Sequence, residues 1–203
     1  MSKTKKTLTI ILAMVMVAAL SVAATLAYLT STTGPVTNTF TVGNVKITLD
    51  EAKVTELGVK DGESRVTENS YKLYPSHQYV KDPTVHVDAA SDDCWLFVKV
   101  VDELAAIEDA TTIADQLTAN EWTPVEGQTG VYAYKAIVSK GANIPVFESF
   151  KIKTDVDNDT LATYAGKTIT VTAYAVQADG FTTAAAAWAA APATWTTSTT
   201  TGN

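Results

Sequence analysis

The stretch "CWLFVKVV", residues 94–101, decides how the chain must fold. Successive strand residues point to opposite faces, and here both faces are apolar. Cys94, Leu96, Val98 and Val100 share one face, Trp95, Phe97 and Val101 the other, and Lys99 alone interrupts the pattern. A strand of this kind belongs in the middle of a sheet, or in a sheet covered on both sides. Downstream, "TITVTAYAVQ" (168–177) alternates Ile169, Val171, Ala173 and Ala175 with Thr168, Thr170, Thr172 and Tyr174, which predicts a strand. Upstream, Val85 and Val87 alternate with Thr84, His86 and Asp88, predicting a half-buried strand, and "AASDD" (89–93) is the turn that follows.

Further strands are expected from Trp122 to Pro124, over 131–138 ("VYAYKAIV") and over 145–152, with "EGQTG" as a turn. Helical spacing falls in the connections. It runs from Asp102 to Leu117 in two pieces around Asp109-Ala110, from Asn158 or Asp159 to a stop at Gly166, and through the Ala-rich "FTTAAAAWAAA" (181–191). No internal repeat and no alternation of strands with long helices is visible. The pattern predicts a mainly β fold, an antiparallel β-sandwich with a few short helices in its connections.

The N-terminal third reads differently. Met1–Lys6 is basic, Leu8–Val22 is apolar, and "VAATLA" ends on small residues, the layout of a secretory signal peptide over 1–27 with cleavage expected between Ala27 and Tyr28 and, as second choice, after Ala24. The apolar run is shorter than the ~20 residues of a membrane-spanning helix, so the membrane is expected to hold the precursor only. Residues 28–44 form a leader without a charged residue. Phe40 and Val42 share one parity, while Val45, Ile47 and Leu49 beyond the leader share the other, so Gly43-Asn44 is expected to be a bulge or tight bend inside a long strand or strand pair. The polar stretch 51–79 is expected to be a weakly structured excursion or a solvent-facing hairpin. The sandwich domain is assigned to 45–193 and a Thr-rich tail to 194–203.

Composition limits the function classes. With 46% hydrophobic residues the chain has material for a core, and a net charge of −7 disfavours nucleic acid as a partner. Without the signal segment, 12 of the 15 basic residues would remain against 22 acidic ones. Cys94 is the only cysteine, so no internal disulfide can form.

Three ordered blocks carry a family resemblance: "ATLAYLTSTTGPVTNTFTVGNVKITLDE" (24–51), "YPSHQYVKDPTVHVDAASDDCWLFVKV" (74–100) and "ITVTAYAVQADGFTTAAAAW" (169–188). Together they resemble the TasA/camelysin family of exported bacterial proteins, and the resemblance spans nearly the whole chain. It implies a signal peptide of the type processed by the signal peptidase SipW and a jelly-roll-like β-sandwich. It also implies a secreted location, at the cell surface or in the biofilm matrix. Fibre subunits of this family polymerise when the N-terminal strand of one copy completes the sheet of the next. Carried over, this makes residues 28–42 a donor strand, with Val36, Phe40 and Val42 on its apolar parity, and the partners further copies of the chain or related matrix and anchor subunits. An uncharged β-prone segment is an aggregation hazard unless such pairing uses it. On the residues alone, 28–42 reads equally as the first strand of the chain's own sheet, and a monomeric accessory or adhesin subunit is a further alternative.

The camelysin branch implies a surface metalloprotease instead. No His-Glu-x-x-His motif is present, and the only histidines, His77 and His86, lie nine residues apart with Pro83 between them. With Asp82 or Asp88 they form a weak candidate for a metal site, and a weaker one for a hydrolytic zinc. Asp155, Asp157 and Asp159 have the alternation of a calcium loop, but Thr160 and Gly166 stand where that loop needs Gly and Glu, so a capped helix start is the simpler reading. Cys94 reads as a buried structural thiol. No catalytic or cofactor-binding residue emerges, and the protein is read as a non-enzyme.

Overall fold

The computed structural model describes residues 5, 14–16 and 43–196. The chain divides into two units, Met1–Thr41 and Val42–Asn203. Of the first, Lys5 and residues 14–16 are helical. The signal peptide, the Ala27–Tyr28 cleavage site and the donor-strand residues Val36, Phe40 and Val42 lie outside the described residues, as does the tail beyond Thr196.

The second unit is mainly β. In chain order it contains β1 (Ile47–Val54), β2 (Lys60–Val66), β3 (Gln78–Val80), β4 (Thr84–Val87) and β5 (Cys94–Asp102). A 3₁₀ turn at Ala105–Ile107 leads into α1 (Ile113–Ala119). Then come β6 (Trp122–Pro124), β7 (Val131–Tyr134), β8 (Asn143–Pro145), β9 (Ser149–Lys151), α2 (Asn158–Ala162), β10 (Ile169–Gln177), α3 (Ala184–Ala189) and α4 (Ala193–Thr196). One sheet has the order β2-β1-β4-β8, a second β10-β5-β7-β6, and β3 pairs with β9 as a ribbon. Every pairing is antiparallel. Among the described residues no helix is long and apolar enough to cross a membrane.

β5 is the centre of this arrangement. It pairs along its whole length with β10, from Cys94 opposite Gln177 to Asp102 opposite Ile169, and with β7 on its other edge. Its Cys94, Leu96, Val98 and Val100 face a core shared with Val85 and Val87 of β4 and with Ile47 and Leu49 of β1. Its Trp95 and Phe97 face a second cluster with Val131, Ala133, Ala187 and Trp188. The central sheet is therefore covered by the other sheet on one side and by α3 on the other. That double covering is why Trp95 and Phe97 are apolar as well as Cys94, Leu96, Val98 and Val100, while Val101, on the same parity as Trp95 and Phe97, is exposed.

Helix ends are fixed by short polar side chains. Thr112 and Asp115 form a reciprocal capping box at the start of α1, and the Asp157 carboxylate accepts the Thr160 N–H at the start of α2 at 2.7 Å. Each cap satisfies backbone donors that a helix terminus leaves unpaired.

Three expectations are corrected, and one open alternative is decided. Gly43 and Asn44 are not a bulge inside a strand. They precede β1 and run beside the 88–92 turn, where the Asp92 carboxylate accepts the Asn44 N–H at 2.7 Å. Of the two alternatives for residues 51–79, the solvent-facing hairpin is the one found: β1 continues to Val54 and turns through Gly58 into the exposed strand β2, antiparallel to it. Gly58 has φ +67°, and a Cβ there would stand 2.7 Å from the Tyr79 backbone, so the tight turn requires glycine. β7 stops at Tyr134, and Val138 returns as an isolated bridge to Cys94. Residues 145–152 form two strands in different sheets. Val146 and Phe147 are consecutive and both fully buried, so the chain crosses between layers there and alternation fails. Side chains satisfy that corner: Gln116 Oε1 accepts the N–H groups of Glu148 and Ser149, and Trp122 Nε1 donates to the Pro145 carbonyl at 2.9 Å.

Candidate functional site

Two strand edges are open at one side of the sandwich. β1 pairs with β4 over Ile47–Asp50 and with β2 only from Glu51 onward. Among the described residues, no strand therefore pairs with Ile47–Asp50 on the β2 side, and none pairs with the outer edge of β10. The other sheet edges carry ordinary protection: β2 holds Lys60, Asp61, Glu63 and Arg65, while β6 and β8 are short and end in proline. β10 has neither device. Its nine residues, "ITVTAYAVQ", include no charge and no proline. A long uncharged edge is a template for another strand.

A cleft of about 1060 Å³ lies between these edges. Leu49, Asp50 and Glu51 of β1 line it together with Ile169, Thr170 and Val171 of β10. Residues 66–74 and the turn from Leu161 to Thr168 complete the walls, and Leu104 and Phe150 also line it.

Within the cleft lies a polar group that sequence reading passed over. Glu51 is only 5% exposed. Its Oε2 accepts from Lys81 Nζ at 2.7 Å, and its Oε1 accepts from Asn69 Nδ2 at 2.9 Å. The Asn69 amide is oriented by backbone: Nδ2 donates to the Ala52 carbonyl at 2.9 Å, and Oδ1 accepts the Val54 N–H at 3.0 Å. Tyr71 lies beside them, its hydroxyl donating to the Val80 carbonyl at 3.1 Å, and burial, with the charges of Glu51 and Asp82, pushes its phenol up. The available signal was parity. Glu51 continues the core-facing series Val45, Ile47 and Leu49, where a carboxylate is out of place.

A second polar cluster surrounds Asp50. Its carboxylate accepts from Arg65 Nε and from His86 Nε2, the latter at 2.8 Å. Burial raises the Asp50 carboxyl, but the Arg65 and His86 hydrogen bonds and charges outweigh it and hold the group below its ordinary value. Arg65 also donates to the carbonyls of Asp50 and Asp82 and to Thr84 Oγ1.

The candidate metal ligands are engaged separately. His77 Nε2 lies 2.8 Å from the Leu57 carbonyl, with its ring on Tyr79. His86 spans Asp50 and Asn143. Asp88 accepts the Ala90 N–H and pairs with Lys46 at 3.1 Å. Asp157 caps α2, and Asp159 stands in that helix's first turn. Among the described residues no group of three or more His, Cys, Asp or Glu is placed to hold a metal ion. Cys94 is fully buried, and burial with the Asp93 charge pushes its thiol up to about 11, the condition of an unreactive core cysteine.

Comparison of the chain with protein-family models, curated proteins and solved structures gives no match in any of the three.

Proposed function

We propose that this is an exported structural protein of a bacterial surface or biofilm matrix, and that it polymerises into fibres by strand donation. Residues 28–42 of one copy enter the cleft of the next and pair with the outer edge of β10. The sandwich is then a jelly roll of the TasA/camelysin type, and the signal peptide is removed at Ala27 by a SipW-type peptidase.

The observation that carries this reading is the β10 edge, nine residues without charge or proline beside an open cleft. The proposed donor is complementary to it. It is uncharged, with Val36, Phe40 and Val42 on one parity and Thr37, Thr39 and Thr41 on the other. An added strand gains main-chain hydrogen bonds along its length and places alternate side chains into the cleft.

The test is electron microscopy of the chain beginning at Tyr28, at mildly acidic and neutral pH, beside a version lacking 28–42. Fibres are expected only when the leader is present. Monomers in both samples would overturn strand donation and favour an accessory or adhesin role.

A further inference from the structure

We propose that Lys81 and Asn69 join through an intramolecular isopeptide bond, formed autocatalytically with Glu51 as proton carrier. The inference is independent of fibre assembly. It rests on one carboxylate that bridges an amine and a primary amide: Lys81 Nζ at 2.7 Å from one oxygen, Asn69 Nδ2 at 2.9 Å from the other.

A simple ion pair has no need of Asn69. Each element of the arrangement corresponds to a requirement of amide exchange. The Lys81 and Glu51 side chains are 11% and 6% exposed, so charge on either is poorly solvated. Proton transfer from the ammonium to Glu51 replaces two buried charges by a neutral amine and a carboxylic acid. The amine is then a nucleophile held by the same carboxylate that holds its target, the condition that replaces a bimolecular encounter by a positioned one. The Val54 N–H on Asn69 Oδ1, at 3.0 Å, polarises the carbonyl and remains a donor when that oxygen becomes an oxyanion. Glu51 already touches Nδ2, the group that must leave, and so can return the proton there.

The step balances without a co-reactant. The Lys81 Nζ lone pair attacks Asn69 Cγ, forming the new C–N bond while the carbonyl π pair moves to Oδ1. Glu51 delivers its proton to Nδ2 and takes one from the attached Nζ. Collapse of the oxyanion restores the carbonyl and breaks Cγ–Nδ2, and the departing ammonia carries off the proton from Glu51. In sum, an ammonium side chain and a primary amide give a secondary amide and an ammonium ion, with Glu51 again a carboxylate. The bond ties residues 66–74, which line the cleft, to the chain between β3 and β4.

Mass spectrometry of the purified folded chain, with tryptic mapping under denaturing conditions, tests this. The expected result is a mass lower than the sequence by one ammonia. The map should show residues 66–72 in a branched peptide with residues 73–99, because Lys81 is no longer cleaved. Glu51→Gln and Lys81→Arg should each restore the full mass and the linear peptides. A wild-type chain at full mass after prolonged incubation in the folded state overturns the proposal. So does an ammonia loss that persists in Lys81→Arg, which would mark a succinimide at an asparagine.

Discussion

Glu108 shows what a single misplaced charge does to this fold. It is 2% exposed, its Oε2 accepts the Ile113 N–H at 3.1 Å, and the Asp102 carboxyl lies within hydrogen-bonding reach of its side chain. Burial, reinforced by the charges of Asp102 and Asp115 and opposed by the Ile113 N–H, pushes the carboxyl from 4.5 up to about 7. The folded state therefore holds a proton that the unfolded chain releases earlier. Stability is undiminished below about pH 4.5, falls as pH rises toward about 7, and is level above that. A shift of this size corresponds to about 3 kcal/mol at the plateau. Glu108→Gln keeps the shape and an acceptor for Ile113 and removes the charge. Its urea midpoint should match the wild type near pH 4 and exceed it increasingly up to pH 8. Parallel pH profiles for the two proteins would refute this account. Glu51 is marked in the sequence by its place on the core-facing parity of β1, whereas nothing in the local pattern around Glu108 marks it as buried.

At the scale of elements, the apolar face of β5 around Trp95 and Phe97 exists because the C-terminal helices cover it. Trp188 of α3 lies 5.0 Å from the Phe97 ring and 6.1 Å from Tyr174, and Trp95 Nε1 donates to the Phe181 carbonyl at 3.2 Å. Trp188→Ala should destabilise the domain by about 3–5 kcal/mol, the usual range for deleting a buried aromatic. It should also raise binding of an apolar dye as the sheet face opens. A melting temperature within a degree or two of wild type would mean that α3 covers nothing essential. Legibility follows the same physics. β4 and β5 could be read because one or both of their faces are dry, and β10 because its inward residues are half-buried against the core while Thr170 and Thr172 face solvent, so burial writes a period into the sequence. β2 could not, since "KDGESRV" is solvated on nearly every residue and owes its strand state to its pairing with β1. The split between β8 and β9 was hidden because Val146 and Phe147 continue an apolar run while the chain changes sheets. The cleft was beyond sequence reading, because its walls come from β1, residues 66–74 and β10.

At the scale of the whole molecule, the open edge sets a condition on stability. The backbone groups of β10 that point away from β5 are paired with no strand among the described residues, and nine residues of strand extend about 30 Å. A domain built this way should gain stability from any strand that docks there, and a free strand should do so without making fibres. The chain lacking 28–42, mixed with a synthetic peptide of that sequence, is therefore expected to form a one-to-one complex that does not polymerise. Because the peptide binds only the folded state, the melting temperature should climb with peptide concentration, reaching about 2.7 kcal/mol of added stability at one hundred times the dissociation constant. A scrambled peptide of the same composition should leave it unchanged, since Val36, Phe40 and Val42 would no longer share a face. The same peptide added to the chain that retains 28–42 should shorten its fibres, because each docked peptide occupies a cleft that a neighbouring copy would otherwise fill. If the cognate peptide shifts the melting temperature no more than the scrambled one, the β10 edge is not an acceptor, and residues 28–42 serve some purpose other than assembly.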